Sequence, residues 1–338
     1  MLIDAGHPWL ADANRPGAVG AAALPTNTRA GLRVSTALAY LPPYRADSNL
    51  TVRGGAEVGV VTLARDRVTG VRLTGGEQIR APQVIVCAGA YASPVLLLRS
   101  GIGPADELRG FGIAVQADLP GVGASLTDHP AVSIDLEYPA EVRPGPLFQV
   151  LATARTTAVS PAAAPDLQYI VGGPFDGEPG TFFVGTALLK PDSRGSVRLR
   201  SADPAAPPRI ELGYFRARHD LDRLVEGLTR IRAATGSGAI KKLSGGTELA
   251  PGPAVPGHDR AGLRDWVRRA AWTYHHPVGT CAMGGDPAAG AVVNATGAVY
   301  GICGLFVADA SVMPEIPSAN THLPAVMIAE RIAAFQHP

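Results

Sequence analysis

Residues 83–103 read QVIVCAGAYASPVLLLRSGIG, and this stretch decides the fold class. Residues 83–88 are a nearly continuous apolar run, which is typical of a strand buried on both faces of a parallel sheet. Gly89 breaks the run, and Ser93 and Pro94 are predicted to open a helix that runs through residues 95–100, with Pro94 in the first turn, where its missing N–H does no harm. The stretch therefore predicts the strand–turn–helix joint of an α/β protein.

Such a joint has two interpretations. A helix N-terminus beside the carboxyl end of a strand is where α/β proteins bind phosphate and cofactor groups. An ordinary joint without a ligand is the commoner case, because these joints recur throughout the fold class. The joint alone leaves both interpretations open.

The rest of the chain predicts two further layers of strands and several helices. Short runs between residues 50 and 79 predict a small antiparallel or mixed layer, whereas residues 1–30 lack periodicity and are expected to be irregular. An antiparallel sheet is predicted from alternating runs at residues 133–138, 166–171, 181–189 and 195–200. Helices are predicted over residues 221–235, 261–271 and 325–335. We interpret residues 131–270 as an inserted lobe.

Composition excludes several classes of protein. The net charge is +1 and 46% of the 338 residues are hydrophobic, so a soluble globular protein without affinity for nucleic acid or membrane surfaces is expected. No apolar run approaches the about 20 residues that cross a bilayer, and the N-terminus does not resemble a signal peptide. The three cysteines form no CxxC pair, which favours neither disulfides nor zinc. A cytoplasmic location is expected.

Residues 274–284 read YHHPVGTCAMG and contain two adjacent histidines. His275 and His276 cannot both ligate one metal from a strand, because neighbouring side chains point to opposite faces. Carboxylates and a helical HxxxH spacing are also missing nearby, so no metal site is predicted. A general base is the more natural role for one of them, since neutral imidazole accepts a proton near physiological pH. A histidine with a purely structural role is the alternative.

A third informative stretch lies near the C-terminus, at residues 304–324. Asp309 follows an apolar run that predicts a buried strand. Asn320 and Thr321 are cap-type residues just ahead of the last predicted helix, whose first backbone N–H groups lack partners within the helix. Those N–H groups suit an anionic or electron-rich ring system. Simple helix capping is the alternative, and it accounts well for Thr321.

These three stretches, in this order, resemble the glucose-methanol-choline (GMC) oxidoreductase family. Residues 89–103 resemble the family's second signature, and residues 276–284 resemble its catalytic-histidine segment. Its C-terminal flavin-contacting segment resembles residues 307–314 and 320–330. Further matches lie at residues 31–41, 119–123 and 127–130, so the resemblance extends over nearly the whole chain.

The resemblance implies a fold class and a domain organisation. The class is α/β (α+β), with a discontinuous, partial FAD-binding Rossmann-like domain made of residues 1–130 and 271–338. Residues 131–270 are then the inserted antiparallel-sheet substrate domain. The implied activity is the FAD-dependent oxidation of a small-molecule alcohol, whose identity and electron acceptor the sequence leaves open.

The resemblance also implies catalytic roles. His276 matches the family's base, which removes the hydroxyl proton as a hydride leaves carbon for flavin N5. Asn320 matches the second active-site residue, which hydrogen-bonds the substrate oxygen. His275 is expected to face away or to line the ring edge. His322 falls at a variable position of the family and is ranked below Asn320.

Cofactor contacts are implied at five positions. Val58 matches the residue that contacts the adenine end of FAD through its backbone. Asp309 and Ala310 match the segment that approaches the pyrophosphate–ribityl region. Asn320 and Thr321 open the helix directed at the flavin pyrimidine, where the helix dipole would stabilise the anionic reduced ring.

One family element is not found in these 338 residues. A complete family member begins with a strand, a G-x-G-x-x-G turn and a helix that hold the FAD pyrophosphate. Residues 121–126 lack the third glycine, and residues 17–20 have the wrong spacing. We therefore expect an N-terminally truncated chain with exposed sheet edges, and one hypothesis is that a G-x-G-x-x-G-bearing partner chain completes it. The alternatives are an inactive fragment and a member that resembles hydroxynitrile lyase.

Overall fold

Two separate hydrophobic cores organise the chain in the computed structural model, which describes residues 1–41, 49–137, 147–174, 180–236, 238–243, 245 and 247–336. The first core surrounds a parallel strand pair and includes Leu97, Leu98, Leu126, Leu305 and Val307. The second lies between a large sheet and its helices and includes Val132, Ile134, Leu167, Leu224 and Leu228.

The strands and helices follow one another along the chain in this order. The strands are β1 (Gly20–Ala23), β2 (Thr28–Arg29), β3 (Leu32–Arg33), β4 (Val58–Ala64), β5 (Arg67–Leu73), β6 (Gln78–Arg80), β7 (Val84–Val86), β8 (Ile102–Gly103), β9 (Ala117–Asp118), β10 (Pro130–Glu137), β11 (Phe148–Ala154), β12 (Leu167–Gly172), β13 (Thr181–Leu188), β14 (Ser196–Arg198), β15 (Arg209–Glu211), β16 (Glu248–Ala250), β17 (Trp272–Thr273) and β18 (Leu305–Val307). The α-helices are α1 (Thr36–Tyr40), α2 (Gly89–Arg99), α3 (Ala105–Gly110), α4 (Arg218–Thr235), α5 (Gly238–Leu243), α6 (Arg260–Ala270) and α7 (His322–Gln336).

The large sheet is antiparallel, as the alternating runs at residues 133–138, 166–171 and 181–189 predicted, whereas the run at residues 195–200 forms β14, which pairs with β15 in a separate sheet. Its strand order is β1-β11-β12-β13-β10-β16, and β17 pairs with β10 at the end of β10 that contains Pro130. Helix α4 packs against this sheet because Leu221, Leu224 and Leu228 repeat at helical spacing and are fully buried. β1 and β17 come from outside residues 131–270, so the sheet draws strands from both sides of the predicted lobe. The domain boundaries stay a prediction.

Four strands of this sheet, β1, β11, β16 and β17, were missed by the sequence patterns. The expectation that residues 1–30 are irregular is wrong at β1, which pairs antiparallel with β11 over Gly20↔Thr153 to Ala23↔Val150. β1 reads GAAA, and alanine and glycine have low strand propensity, so no alternation marked it. The pairing with β11 and the burial of its first three residues stabilise β1 instead.

β7 and β18 form a parallel pair beneath α2, with Val84, Ile85 and Val86 opposite Leu305, Phe306 and Val307. The expectation that residues 83–88 are buried on both faces is wrong at Ile85, which is 42% exposed. In the described part of the chain, β7 pairs with no strand other than β18. Among these residues, one face and one edge of the strand are therefore open.

Helix α2 begins at Gly89, a full turn earlier than the predicted helix. Pro94 then lies inside the helix, where it cannot donate a hydrogen bond to the carbonyl of Ala90. The hydroxyl of buried Thr280 donates to that carbonyl at 2.6 Å instead. A side chain from a distant segment thus takes the place of the missing N–H, and this contact lets the helix run through the proline.

Replacing Thr280 by valine is expected to destabilise the fold by about 1–3 kcal/mol, because the Ala90 carbonyl would be left without a donor. Valine keeps the shape of threonine, so the change isolates the hydrogen bond. The free energy of unfolding in urea is the measurement. The matched control is Thr26→Val, since the exposed Thr26 hydroxyl contacts only the Thr28 hydroxyl. Equal values for the two variants would contradict the assignment.

The small layer is antiparallel, with strand order β4-β5-β6. The residues around Leu50 and Val52, which were expected to extend it, are exposed and lie outside any strand.

Among the described residues, no helix combines the length and apolar character that crossing a bilayer requires.

Candidate active site

His276 lies in the loop after β17, with only 8% of its surface exposed. His275, the residue before it, is exposed and has a left-handed backbone with φ 61°. The two side chains therefore diverge, as expected for His275. The cause is the turn at His275 and not the alternation of a strand, because this segment lies outside any strand.

A buried carboxylate holds the loop of His276 in place. Asp128 Oδ1 accepts the backbone N–H groups of His129 at 2.8 Å and of His276 at 2.9 Å. Its Oδ2 accepts the hydroxyls of Tyr214 at 2.7 Å and Thr273 at 2.5 Å. Four donors from three parts of the chain thus converge on one side chain, which fixes the backbone position of His276.

The imidazole of His276 contacts a different side chain at each nitrogen. Its Nδ1 lies 3.0 Å from Nδ1 of His129, and its Nε2 lies 3.3 Å from Nδ2 of Asn320. The Tyr274 ring meets the imidazole edge-on, at 4.8 Å between centroids. Gln168 Nε2 donates to Asn320 Oδ1 at 3.4 Å. His276 and Asn320, the two residues implied to be catalytic, therefore lie side by side.

Burial sets the charge of the two histidines. It lowers the pKa of His276 to about 4, although the nearby Asp128 carboxylate acts in the opposite direction. Burial and the neighbouring His276 lower the pKa of His129 to about 3. Both rings are therefore neutral near pH 7, and His276 has a lone pair with which to accept a proton.

Asp309 lies at the carboxyl end of β18, where its position in the sequence predicted it. Its Oδ2 accepts the backbone N–H of Gly89 at 2.9 Å and the Ser93 hydroxyl at 2.5 Å, and its Oδ1 accepts the N–H of Ser311 at 2.8 Å. The carboxylate therefore caps the N-terminus of α2. The strand–turn–helix joint at residues 83–103 had two interpretations, a site for phosphate and cofactor groups or an ordinary joint without a ligand. The geometry favours the ordinary joint, since a carboxylate already occupies the position where an anion would bind.

The other residues implied to contact the cofactor lie in three places. Ala310 follows Asp309 and is half-buried in a 3₁₀ turn, Ala310–Val312. Thr321 is buried immediately before α7, and its carbonyl accepts the N–H of Ala325 at 3.0 Å. Val58 is the half-buried first residue of β4 in the small sheet. The cofactor roles of these residues and of Asp309 stay predictions.

Replacing Asp128 by alanine is expected to destabilise the fold by at least about 3 kcal/mol, since each buried donor left unpaired costs about 1–3 kcal/mol. Four donors lose their acceptor in this variant. Urea unfolding of the purified variant measures the loss. Asp106→Ala is the control, because the Asp106 side chain is fully exposed and pairs only with Arg109. A loss as small as that of the control would contradict the role given to Asp128.

Comparison with known proteins was made on both sequence and structure. Profiles described as GMC oxidoreductase match residues 5–131 and residues 191–329. The 5-(hydroxymethyl)furfural oxidase of Methylovorus sp. is 35% identical over 322 residues, which cover 89% of this chain and 60% of that protein. Oxygen-dependent choline dehydrogenase 1 of Chromohalobacter salexigens is 33% identical, with coverage of 98% and 65%.

A solved structure agrees with these relatives. Pyridoxine 4-oxidase from Mesorbium loti superposes with a TM-score of 0.87 at 31% identity, over 99% of this chain and 69% of that one. The chain spans 60% to 66% of the length of the curated relatives it matches. The predicted family and the mixed α/β architecture are confirmed. The chain belongs to the GMC oxidoreductase family.

Proposed function

We propose that this chain serves in the FAD-dependent oxidation of a small-molecule alcohol, with His276 as the base that accepts the hydroxyl proton. The observation that carries the proposal is the buried, neutral imidazole of His276, whose Nε2 faces the Asn320 amide at 3.3 Å. A neutral base beside a hydrogen-bond donor is the pair of groups that deprotonation of an alcohol requires.

The names of the relatives support this reaction class. One is named as an oxidase of 5-(hydroxymethyl)furfural, one as a choline dehydrogenase and one as a pyridoxine 4-oxidase. All three names describe oxidoreductases of small molecules. The identity of the alcohol and the electron acceptor stays open, and so does the predicted cytoplasmic location.

Three residues of the chain, His276, Asn320 and Asp128, have distinct roles in this reaction. His276 Nε2 takes the hydroxyl proton, and the Asn320 amide donates a hydrogen bond to the substrate oxygen. Because His276 Nε2 and Asn320 Nδ2 lie 3.3 Å apart, one oxygen atom beside the pair can lie within hydrogen-bond distance of both. Bound FAD supplies the acceptor for the hydride that leaves the alcohol carbon. Asp128 keeps His276 at its place through the backbone.

The residues around this pair fit the ring end of a flavin. Asn320, His322 and Leu323 are exposed, and the first N–H groups of α7 have no carbonyl within the helix to pair with. These donors suit the electron-rich pyrimidine oxygens of the ring. They support FAD as the cofactor.

The test uses the purified chain with FAD, in one sample alone and in another with a G-x-G-x-x-G-bearing N-terminal segment of a family member. The second sample tests the complementing chain that the sequence predicts. Alcohols are then added without oxygen, and the visible absorption of oxidised flavin is followed. Bleaching supports the proposal. Flavin that stays oxidised while the substrate is cleaved would indicate a lyase, and failure to bind flavin in both samples would contradict the proposal.

A further inference from the structure

His129 is a second buried histidine that touches the first. It has no exposed surface, and its ring stands perpendicular to that of His276, with 5.2 Å between centroids. The two Nδ1 atoms lie 3.0 Å apart, so one of them donates a proton and the other accepts it. Both rings are neutral near pH 7, so each carries one ring proton. Only one of the two facing Nδ1 atoms is protonated.

The surroundings of His276 decide the direction of this hydrogen bond. Gln168 Nε2 donates to Asn320 Oδ1 at 3.4 Å, which leaves Asn320 Nδ2 facing His276 Nε2 at 3.3 Å. An amide nitrogen donates hydrogen bonds and does not accept them. His276 Nε2 is therefore the unprotonated nitrogen of its ring.

The consequence for His129 follows from proton counting. A neutral imidazole carries one proton, so His276, which is unprotonated at Nε2, is protonated at Nδ1. His276 Nδ1 then donates to His129 Nδ1 at 3.0 Å, and His129 is the acceptor. Every hydrogen bond from Gln168 through Asn320 and His276 to His129 therefore points the same way.

We propose that His129 is a positioning residue that holds His276 as the Nδ1–H tautomer and keeps its Nε2 lone pair directed toward Asn320. The effect of His129 on the tautomer of His276 follows from the geometry of the chain and does not depend on the proposed function. Its catalytic consequence rests on the proposed function, because a base with the wrong nitrogen protonated cannot accept the hydroxyl proton. In a serine protease, loss of the group that orients the histidine lowers kcat by about 10⁴-fold.

Nitrogen NMR of the full chain labelled with ¹⁵N-histidine tests this directly. The ring nitrogens of His276 are assigned by the signals lost in His276→Asn. At pH 7 the wild type is expected to show Nδ1 protonated and Nε2 unprotonated at His276. A His276 ring protonated at Nε2 overturns the proposal, whatever the activity of the chain.

Two variants of His129 separate tautomer control from a structural role. His129→Asn places an amide oxygen near the position of Nδ1 and is expected to keep the His276 tautomer. His129→Leu fills similar volume without an acceptor, and a mixture of the two tautomers is expected. Unchanged His276 signals in a folded His129→Leu variant overturn the proposal.

Kinetics of the flavin-loaded protein distinguish this proposal from the proposed function. In His129→Leu, kcat/KM is expected to fall at least about 10-fold, mainly because kcat falls. In His129→Asn, the fall in kcat/KM is expected to be smaller. A wild type without turnover that still shows the Nδ1–H tautomer contradicts the proposed function alone. A normal tautomer shift in His129→Leu with no fall in kcat contradicts the catalytic consequence.

Discussion

His276→Asn is expected to lower kcat/KM for alcohol oxidation by about 10²–10⁴-fold, the contribution typical of a positioned general base. Asparagine can still fill part of the site, but its amide cannot accept a proton at neutral pH. Flavin binding should change little, because His276 contacts Asn320, His129 and Tyr274 and not the first N–H groups of α7. Steady-state rates over a range of alcohol concentrations measure the effect.

The neighbouring histidine offers a matched control. His275→Asn makes the same chemical change one residue earlier, on an exposed side chain. Asparagine tolerates the left-handed backbone of φ 61° found there, so the fold should not change. The control variant is expected to retain kcat/KM within about threefold, as surface changes away from the site do. Comparable losses in the two variants would contradict the assignment of the base to His276.

Acid is expected to destabilise the fold by a few kcal/mol between about pH 6.5 and about pH 4. Burial lowers the folded-state pKa of His276 to about 4 and that of His129 to about 3, whereas both have an ordinary value of 6.5 in the unfolded chain. The unfolded chain therefore binds more protons in this window, and its free energy falls relative to the folded state as the pH falls. Each unit of difference in pKa is worth about 1.4 kcal/mol, so either ring alone accounts for a loss of this size.

Urea unfolding at a series of pH values measures this loss. The double variant His129→Asn, His276→Asn lacks both imidazoles and is expected to show a flatter dependence of the free energy of unfolding on pH. His7 is partly buried, and burial lowers its pKa as well, so a smaller dependence should persist in the variant. A wild-type free energy that stays constant over this window would contradict the neutral, buried state of the two rings.

Much of the fold could be predicted from local patterns. The helix predicted over residues 221–235 is α4, Arg218–Thr235, because its apolar residues repeat at helical spacing and face one core. β1 could not be predicted, since its strand conformation depends on pairing with β11 more than a hundred residues away. The first residue of α2 could not be predicted either, because Asp309 and Thr280 stabilise its first turns from distant segments.

Only part of the candidate site could be predicted from the sequence. His276 and Asn320 stood out through the family resemblance, and the structure brings them together. Residues 127–130 matched the same family, but no role was assigned to Asp128 or His129. Their contacts with His276 span more than 140 positions of the chain, and local periodicity carries no information on such pairs. The adjacent pair Asp128-His129 was the one signal available in the sequence, and on its own such a pair does not distinguish a functional site from a structural core.

The rate at which an alcohol bleaches bound flavin in a single turnover tests the role of His276 most directly. Wild type and His276→Asn are loaded with FAD to the same occupancy and mixed with the same alcohol in the absence of oxygen. We predict bleaching in the wild type and a rate at least about 100-fold lower in the variant. Equal rates in the two proteins would contradict the account, because the proton would then leave the alcohol without His276.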